Sequence, residues 1–439
     1  MATFGARSVS DRTSFQGFAS QRMRILLLNQ AFYPDVVSSG QHLTDLAVSL
    51  AQASHDVTVI AAASGYDDPS RRFRRREIWQ GINVVRIPAA RLGKAKRWRR
   101  ALNFASFLAS CSVRLLTLGS FDVIVAMTSP PLISVLAALV VRLRGGRLVF
   151  WVMDLNPDEA IAAGWLTSGS YMSRLLENFL RSSLRGASKV VVLDRFMKDR
   201  VLTRGIDPAK LTTIPPWTHD DAVMFDAAAR EGFRRLHGLA DKFVVMYAGN
   251  HSPCHPLDTL LHAACELRME EAITFVFVGG GSAVDKVRRF AETHQLANIV
   301  QLPYQPLSAL AAALSAADLH VVTLGDPFVG IVHPCKIYNI LRVGSPVLYI
   351  GPPQSHVVDL ASRVPYGMIQ SLRHGDVGGV VDCIVDAYRR WSPDQGRKPF
   401  GSEYWKDALL PQLVTVITGK DTQRGTAPAL TVKDSWQTN

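Results

Sequence analysis

Thr213-Ile214-Pro215-Pro216-Trp217-Thr218-His219-Asp220, near the midpoint of a 439-residue chain, is where a regular pattern stops and then begins again. Two consecutive prolines fix φ and remove backbone donors, so this segment can extend neither a helix nor a central strand. On its N-terminal side, unbroken Val, Ile and Leu runs at residues 24–29, 57–62, 83–87, 123–126, 148–152 and 190–193 predict strands. Helical patterns at 40–53, 132–143, 171–184 and 195–204 separate them. Beyond the connector the strand pattern restarts at 243–248, 273–278, 320–324 and 347–350. Strands without polar alternation are those covered on both faces, and strands alternating with helices make parallel sheets with crossover connections. The expected fold is therefore α/β, with two doubly wound, Rossmann-like halves facing one another across a central cleft. Ligands of such sheets bind beyond the carboxyl ends of the strands, so facing halves share one site.

The remaining boundaries follow from composition. Residues 1–22 are rich in Ser, Arg and Gly without an apolar core, and read as a disordered tail rather than a secretory signal. The expected domains are 23–213 and 214–392, followed by a C-terminal helical segment at 393–419 and a disordered tail at 420–439. The longest uncharged stretch, 123–141, contains Thr128-Ser129-Pro130-Pro131 and predicts a strand, a turn and a helix rather than a membrane span. Five scattered cysteines, Cys111, Cys254, Cys265, Cys335 and Cys383, suit a reduced, cytoplasmic protein.

The net charge of +12 is concentrated in two clusters. Arg71, Arg72, Arg74, Arg75 and Arg76 form one; Lys94, Lys96, Arg97, Arg99 and Arg100 form the other. Solvated loops account for such clusters equally well. Nucleic acid is disfavoured because no aromatic-studded basic motif accompanies the charge. An anionic membrane surface fits better, at about 1 kcal/mol per nearby cation. Trp98 and the apolar stretch ALNFASFLASCSVRLLTL at 101–118 follow the second cluster directly and make an interfacial anchor. Residues 71–76 and 94–118 are thus expected to place the protein peripherally at the inner face of the plasma membrane.

Chemistry is expected at three places. Ser38-Ser39-Gly40 opens a helix after the first strand; it offers free N–H groups to an anion or is simply an N-cap and a tight turn. It is not the G-x-G-x-x-G loop of a dinucleotide fold. In the second half, Gly325-Asp326-Pro327-Phe328-Val329-Gly330-Ile331-Val332-His333-Pro334-Cys335-Lys336-Ile337-Tyr338-Asn339 reads as a strand end, a loop and a helix with a lysine in its first turn. That is a candidate diphosphate site, with Lys336 as the cation and Gly330 allowing close approach; a plain loop is the alternative. Asp154, after a buried strand, is a candidate base or orienter for an acceptor hydroxyl, or an Asx turn with Pro157. His251, Cys254, His255, His333 and Cys335 match no standard zinc spacing, and no metal is expected.

Taken together, the motifs resemble the family-4 glycosyltransferases of GT-B architecture, closest to those that assemble bacterial capsule, colanic acid and O-antigen units. The resemblance spans about residues 23–415. It rests on Phe32-Tyr33-Pro34 with Gly40, Thr128-Ser129-Pro130-Pro131, Asp154-Leu155-Asn156-Pro157-Asp158, Ile214-Pro215-Pro216-Trp217, Tyr247-Ala248-Gly249-Asn250 and Pro334-Cys335-Lys336-Ile337-Tyr338. It implies a retaining, metal-independent transfer from a nucleotide sugar, which serves as donor substrate rather than cofactor, to a lipid-linked or saccharide acceptor. It implies catalytic roles for Asp154 and Lys336. Ser39, Gly40, Gly249, Asn250, His251, Gly280, Gly330, Ile331, Val332, Lys336 and Asn339 are the expected donor-binding residues. Two departures stand out. Many relatives carry a glutamate at each end of the stretch matched by Val329 to Asn339, and neither position is acidic here. Where relatives usually supply an Arg and a Lys after Gly249-Asn250, this chain reads His251-Ser252-Pro253-Cys254-His255-Pro256. A nucleotide-sugar epimerase and a scaffold that has lost turnover are the competing readings.

Overall fold

The computed structural model describes residues 22–419 except 36, 67, 69, 93–96, 219–222 and 393–396. The expected tails, Lys94 and Lys96 of the second basic cluster, and His219 and Asp220 of the connector lie outside the described residues, save for Arg22 of the first tail.

The first sheet is built from β1 (Arg24–Leu28), β2 (Asp56–Ala62), β3 (Arg76–Trp79), β4 (Ile82–Ile87), β5 (Val123–Ala126), β6 (Arg147–Trp151), β7 (Lys189–Val192) and β8 (Leu211–Thr213), in the order β3-β4-β2-β1-β5-β6-β7-β8. All neighbours are parallel except β3 and β4. The crossover helices are α1 (Ser38–Gln52), α2 (Arg97–Leu116), α3 (Ile133–Arg144), α4 (Asp158–Ala162), α5 (Tyr171–Gly186) and α6 (Arg195–Leu202). The 123–141 stretch resolves into β5, a turn and α3, and no helix among the described residues is long and apolar enough to cross a membrane.

The second sheet takes the order β11-β10-β9-β12-β13-β14, with every neighbour parallel. Its strands are β9 (Phe243–Ala248), β10 (Ile273–Val278), β11 (Ile299–Leu302), β12 (Leu319–Thr323), β13 (Val347–Ile350) and β14 (Ile369–Leu372). Its helices are α7 (Ala227–Leu236), α8 (Asp258–Glu266), α9 (Val284–Thr293), α10 (Leu310–Ala316), α11 (Lys336–Arg342), α12 (His356–Ala361) and α13 (Val377–Arg389). Strand β9 shows why the apolar runs are unbroken. Phe243, Val245 and Tyr247 join one hydrophobic cluster, Val244 and Met246 join another on the opposite face, and helices cover both.

Four strands were not expected. β3, β8, β11 and β14 are short and lie at or next to sheet edges, where one side is left to solvent and polar residues are tolerated. A last helix, α14 (Lys406–Thr418), crosses back from the second half and packs on α1 of the first. Arg147 donates to Ile417 O, Trp217 Nε1 donates to Asp45 at 2.8 Å, and Lys406 lies 3.9 Å from the same carboxylate. The connector and the terminal helix are thus fastened to one patch of the first half.

Candidate active site

In the second sheet the strand order reverses between β9 and β12, which places the crevice for a ligand beyond their carboxyl ends. β9 runs into Gly249-Asn250-His251 and β10 into Gly279-Gly280-Gly281. These turns interlock: His251 N donates to Gly280 O at 2.7 Å, while a side chain at Gly279 or Gly281 would strike Gly249 O or Asn250 Oδ1. Gly249 has φ +142°, and a Cβ there would stand 2.7 Å from Lys336 Nζ. Only glycine satisfies both the backbone angle and the lysine beside it.

Lys336 opens α11, and its ammonium lies 3.8 Å from the Tyr247 ring centroid without a hydrogen-bond partner. Burial pulls its pKa down to about 7. Desolvation, reinforced by this ammonium, lowers His251 and brings His255 to about 3, so both imidazoles stay neutral at pH 7. His251 Nδ1 and, one turn further along α11, Asn339 Oδ1 are also buried without partners. Unsatisfied buried polar atoms cost free energy, and an unpaired buried ammonium costs more. An anion accepting from Lys336 relieves the largest of these penalties.

Other expected donor residues stand elsewhere. Gly330, with φ +68°, makes its close approach to the other half of the chain: a Cβ would lie 2.6 Å from the backbone of Phe196 in α6. Ile331 O accepts from Leu155 N at 3.0 Å, and Val329 O accepts from Arg200 Nε at 2.6 Å. The loop from Val329 through Val332 therefore forms part of the seam between the halves, and Gly330 makes its close approach there. Gly40 is buried with its Cβ direction filled by Ala31, so close packing explains it; Ser39 Oγ receives Asn29 Nδ2 at 3.5 Å. Gly280 faces the Tyr304 ring.

On the first half, Asp154 follows β6 and its backbone N–H donates to Thr128 Oγ1 at 3.3 Å. Burial and the neighbouring Glu159 carboxylate hold its carboxyl well above the usual range. Burial raises Glu159 too, against the opposing pull of Arg100. Glu159 was missed in the sequence because it is five residues from Asp154; the first turn of α4, where Glu159 N donates to Leu155 O at 2.8 Å, folds it back. Two interacting carboxyls with raised pKa values make a pair able to hold or pass a proton. Asp158 faces away into an ion pair with Arg204, 2.6 Å from Oδ2.

Among the described residues, one group of three metal-ligating side chains converges, and it is not the set considered from the sequence. Asp194, His333 and His356 have donor atoms within 4.8 Å of one another. The two imidazoles stack at 3.8 Å and 25°, which aims their lone pairs along nearly parallel planes rather than at one point. His333 already shares Nδ1 with Asp194 at 2.7 Å and Nε2 with Tyr338 OH at 2.8 Å. These residues form a buried hydrogen-bonded relay linking α6 of the first half to α11 of the second.

Residues 39–217 match the glycosyl transferase 4-like domain. The chain is also 25% identical to WcaI of Escherichia coli K12, named for colanic acid biosynthesis glycosyl transfer, over 78% of this chain and 87% of that protein. The chain is a glycosyltransferase. Solved structures agree on the fold of this glycosyltransferase. Sucrose-phosphate synthase from Thermosynechococcus elongatus superposes with a TM-score of 0.68 at 17% identity, over 90% of this chain and 98% of that one. Anabaena HepE, solved with UDP and glucose, gives 0.61 at 16% identity, over 84% and 90%. The architecture is GT-B, two Rossmann-like halves, as the alternating pattern predicts.

Proposed function

We propose that this glycosyltransferase moves a sugar from a nucleotide-sugar donor, held by the second half at Lys336, to a lipid-linked or polysaccharide-precursor acceptor held by the first. The observation that carries this reading is the Lys336 ammonium, buried over Tyr247 beside Gly249 with no protein partner. As the glycosidic bond breaks, negative charge develops on the leaving nucleoside diphosphate. A fixed cation and the convergent turn amides stabilise that charge in a site with little water. Lys336 thus takes the role a metal ion plays elsewhere, and the reaction is proposed to be retaining and metal-independent. His251 and Asn339, with partnerless atoms in the same region, supply polar contacts to the donor. Asp154, coupled to Glu159, orients the acceptor hydroxyl from the opposite wall. UDP in HepE and the colanic acid naming of WcaI support a nucleotide donor and a saccharide-precursor acceptor.

Association with an anionic membrane surface is part of this reading. Helix α2 has two apolar stripes. Phe107, Cys111 and Leu115 face the core, while Trp98, Leu102, Val113 and Leu116 face solvent, 48–71% exposed. Arg71, Arg72, Arg74, Arg75 and Arg76 are exposed on the same half of the chain. An apolar stripe that the fold leaves uncovered beside cations suits an interface between lipid and water.

The test is a thermal-shift titration with a panel of nucleoside diphosphates and nucleotide sugars. A ligand of the folded state stabilises it by about 2.7 kcal/mol at a hundredfold excess over Kd. The expected result is a shift with one nucleotide that Lys336→Ala abolishes, and metal-free turnover in the presence of EDTA. No shift with any nucleotide, from folded protein, overturns the reading.

A further inference from the structure

The first half contains a shallow cleft, open to solvent, at the carboxyl ends of β1, β2 and β4 and roofed by α2. Its walls include Gln30, Ser64, Tyr66, Arg91, Arg100 and Asn103. The segment carrying Arg91 is strapped to the roof: Ala90 N donates to Ser106 Oγ at 2.7 Å and Leu92 N to Asn103 Oδ1 at 3.0 Å. That strapping holds Arg91, from the loop after β4, and Arg100, from the first turns of α2, on the walls of one cleft. Arg91 has no hydrogen bond or ion pair among the described residues. Arg100 packs over the Trp165 ring, 5.3 Å from its centroid, with no carboxylate of the described residues in ion-pair contact. Gln30 Oε1 is buried there without a partner. The nearest acid of the β1 loop, Asp35, already receives Tyr66 N at 2.6 Å.

We propose that Arg91 and Arg100 clamp the phosphate or diphosphate of a lipid-linked acceptor, a subsite separate from the donor diphosphate at Lys336. Guanidinium forks match phosphoryl oxygens bidentately, and two of them on one cleft supply the charge a diphosphate needs. The tail of such a ligand has a place as well. The solvent-facing stripe of α2 begins at Trp98, in the same first turn as Arg100 but on the opposite face of the helix. An isoprenoid chain on that stripe would have to round the start of α2 to bring its phosphate to the cleft. Inward of the cleft, Arg100 reaches far enough to pull on the charge of Glu159, the carboxylate that raises Asp154. The clamp therefore lies next to the acid pair that would meet the acceptor hydroxyl. This inference rests on the lipid-linked acceptor in the proposed function, and deepens it by naming the group that is recognised.

Calorimetric titration of the full chain with farnesyl diphosphate, farnesol and a nucleoside diphosphate tests it. The expected result is binding of farnesyl diphosphate that Arg91→Gln and Arg100→Gln each weaken by about tenfold or more, the loss of a charge-assisted hydrogen bond. Farnesol should bind weakly and equally to all variants. Nucleoside diphosphate binding, which also reports correct folding, should survive both substitutions and disappear in Lys336→Ala. Wild-type affinity for farnesyl diphosphate in both arginine variants overturns the clamp, as does farnesol binding as tightly as farnesyl diphosphate. Loss of farnesyl diphosphate binding in Lys336→Ala alone places the diphosphate in the donor site and also overturns it. If phosphatidylglycerol vesicles bind with the same arginine dependence and compete with farnesyl diphosphate, bulk lipid is the ligand and the acceptor assignment fails. If no nucleotide binds while farnesyl diphosphate titrates through Arg91 and Arg100, the donor reading falls and the clamp stands.

Discussion

Lys336 and Gly249 behave as one unit: the lysine lies where a side chain on the glycine would be. Because burial holds Lys336 near pKa 7, much of the free protein carries it uncharged just above neutrality. Binding an anionic diphosphate raises that pKa, so complex formation takes up a proton above pH 7. Nucleotide affinity should therefore fall as pH rises from about 7, approaching tenfold per pH unit until the pKa of the complex is reached. Lys336→Met should flatten that dependence and weaken binding throughout; calorimetry between pH 6 and 9 reads both. Linkage gives the ligand-free protein the opposite trend. A lysine whose folded pKa is depressed binds fewer protons than it does unfolded, so its contribution to stability grows between about pH 7 and 10.5. Gly249→Ala places a Cβ 2.7 Å from Nζ at φ +142°. The ammonium must move, and nucleotide affinity should drop about as far as in Lys336→Ala with the far-UV spectrum unchanged; unchanged affinity counts against the pairing.

At the scale of single elements, α2 shows that one helix can be amphipathic twice over. Its core stripe, Phe107, Cys111 and Leu115, fixes it to the sheet, and nothing in the fold requires the outer Trp98, Leu102 and Val113 to be apolar. Each large apolar side chain is worth about 1.5–3 kcal/mol when fully buried. Replacing these three by serine should lower partition into phosphatidylglycerol vesicles at least tenfold and leave the melting temperature nearly unchanged, because none of them supports the core. Co-sedimentation checks the first point and a thermal melt the second. Asp318 sits at the other extreme. Its buried carboxylate receives Arg230 at 2.6 Å, Arg234 at 3.0 Å, Trp391 Nε1 at 2.8 Å and Val244 N at 2.8 Å, tying α7 to the edge of β12. Asp318→Ala leaves two buried guanidinium groups without their anion and should cost about 3–5 kcal/mol in chemical denaturation.

For the molecule as a whole, a buried hydrogen-bonded relay and an ion pair join its halves. The relay Tyr338–His333–Asp194 bridges α11 and α6, and Arg195 meets Asp359 at 2.5 Å nearby. Asp194 is held at about 2, below its ordinary 3.8; burial works against this, and the hydrogen bond and charge of His333, with the Met197 N–H, overcome it. Its contribution to stability, about 2 kcal/mol, is thus fully present above pH 4 and lost as pH falls through 2. The groups facing Asp194 are His333, His356, Arg195 and the Met197 N–H, and burial keeps His356 well below its usual pKa, hence neutral. Urea titrations of wild type and Asp194→Ala should differ by at least this amount at pH 7, with the gap narrowing below pH 4. A gap that does not change with pH would assign the residue's role to its helix cap alone.

The sequence by itself determined the architecture. Apolar runs long enough to be covered on both faces, helices between them and Pro215-Pro216 at the break admit little else, since the pattern of burial is written directly in the order of residue types. It also brought Lys336, Gly249 and Asp154 forward, because each sits where a strand ends or a helix begins. The edge strands were not legible, being half exposed and mixed in composition. Tertiary structure alone decided that Gly330 packs against Phe196 across the seam and that Arg91 and Arg100 share a cleft. Each of those facts depends on which groups meet when separate elements pack together. Residue type and spacing fix local geometry, but partners, and with them charge state and accessibility, are set only when the sheets have closed on one another.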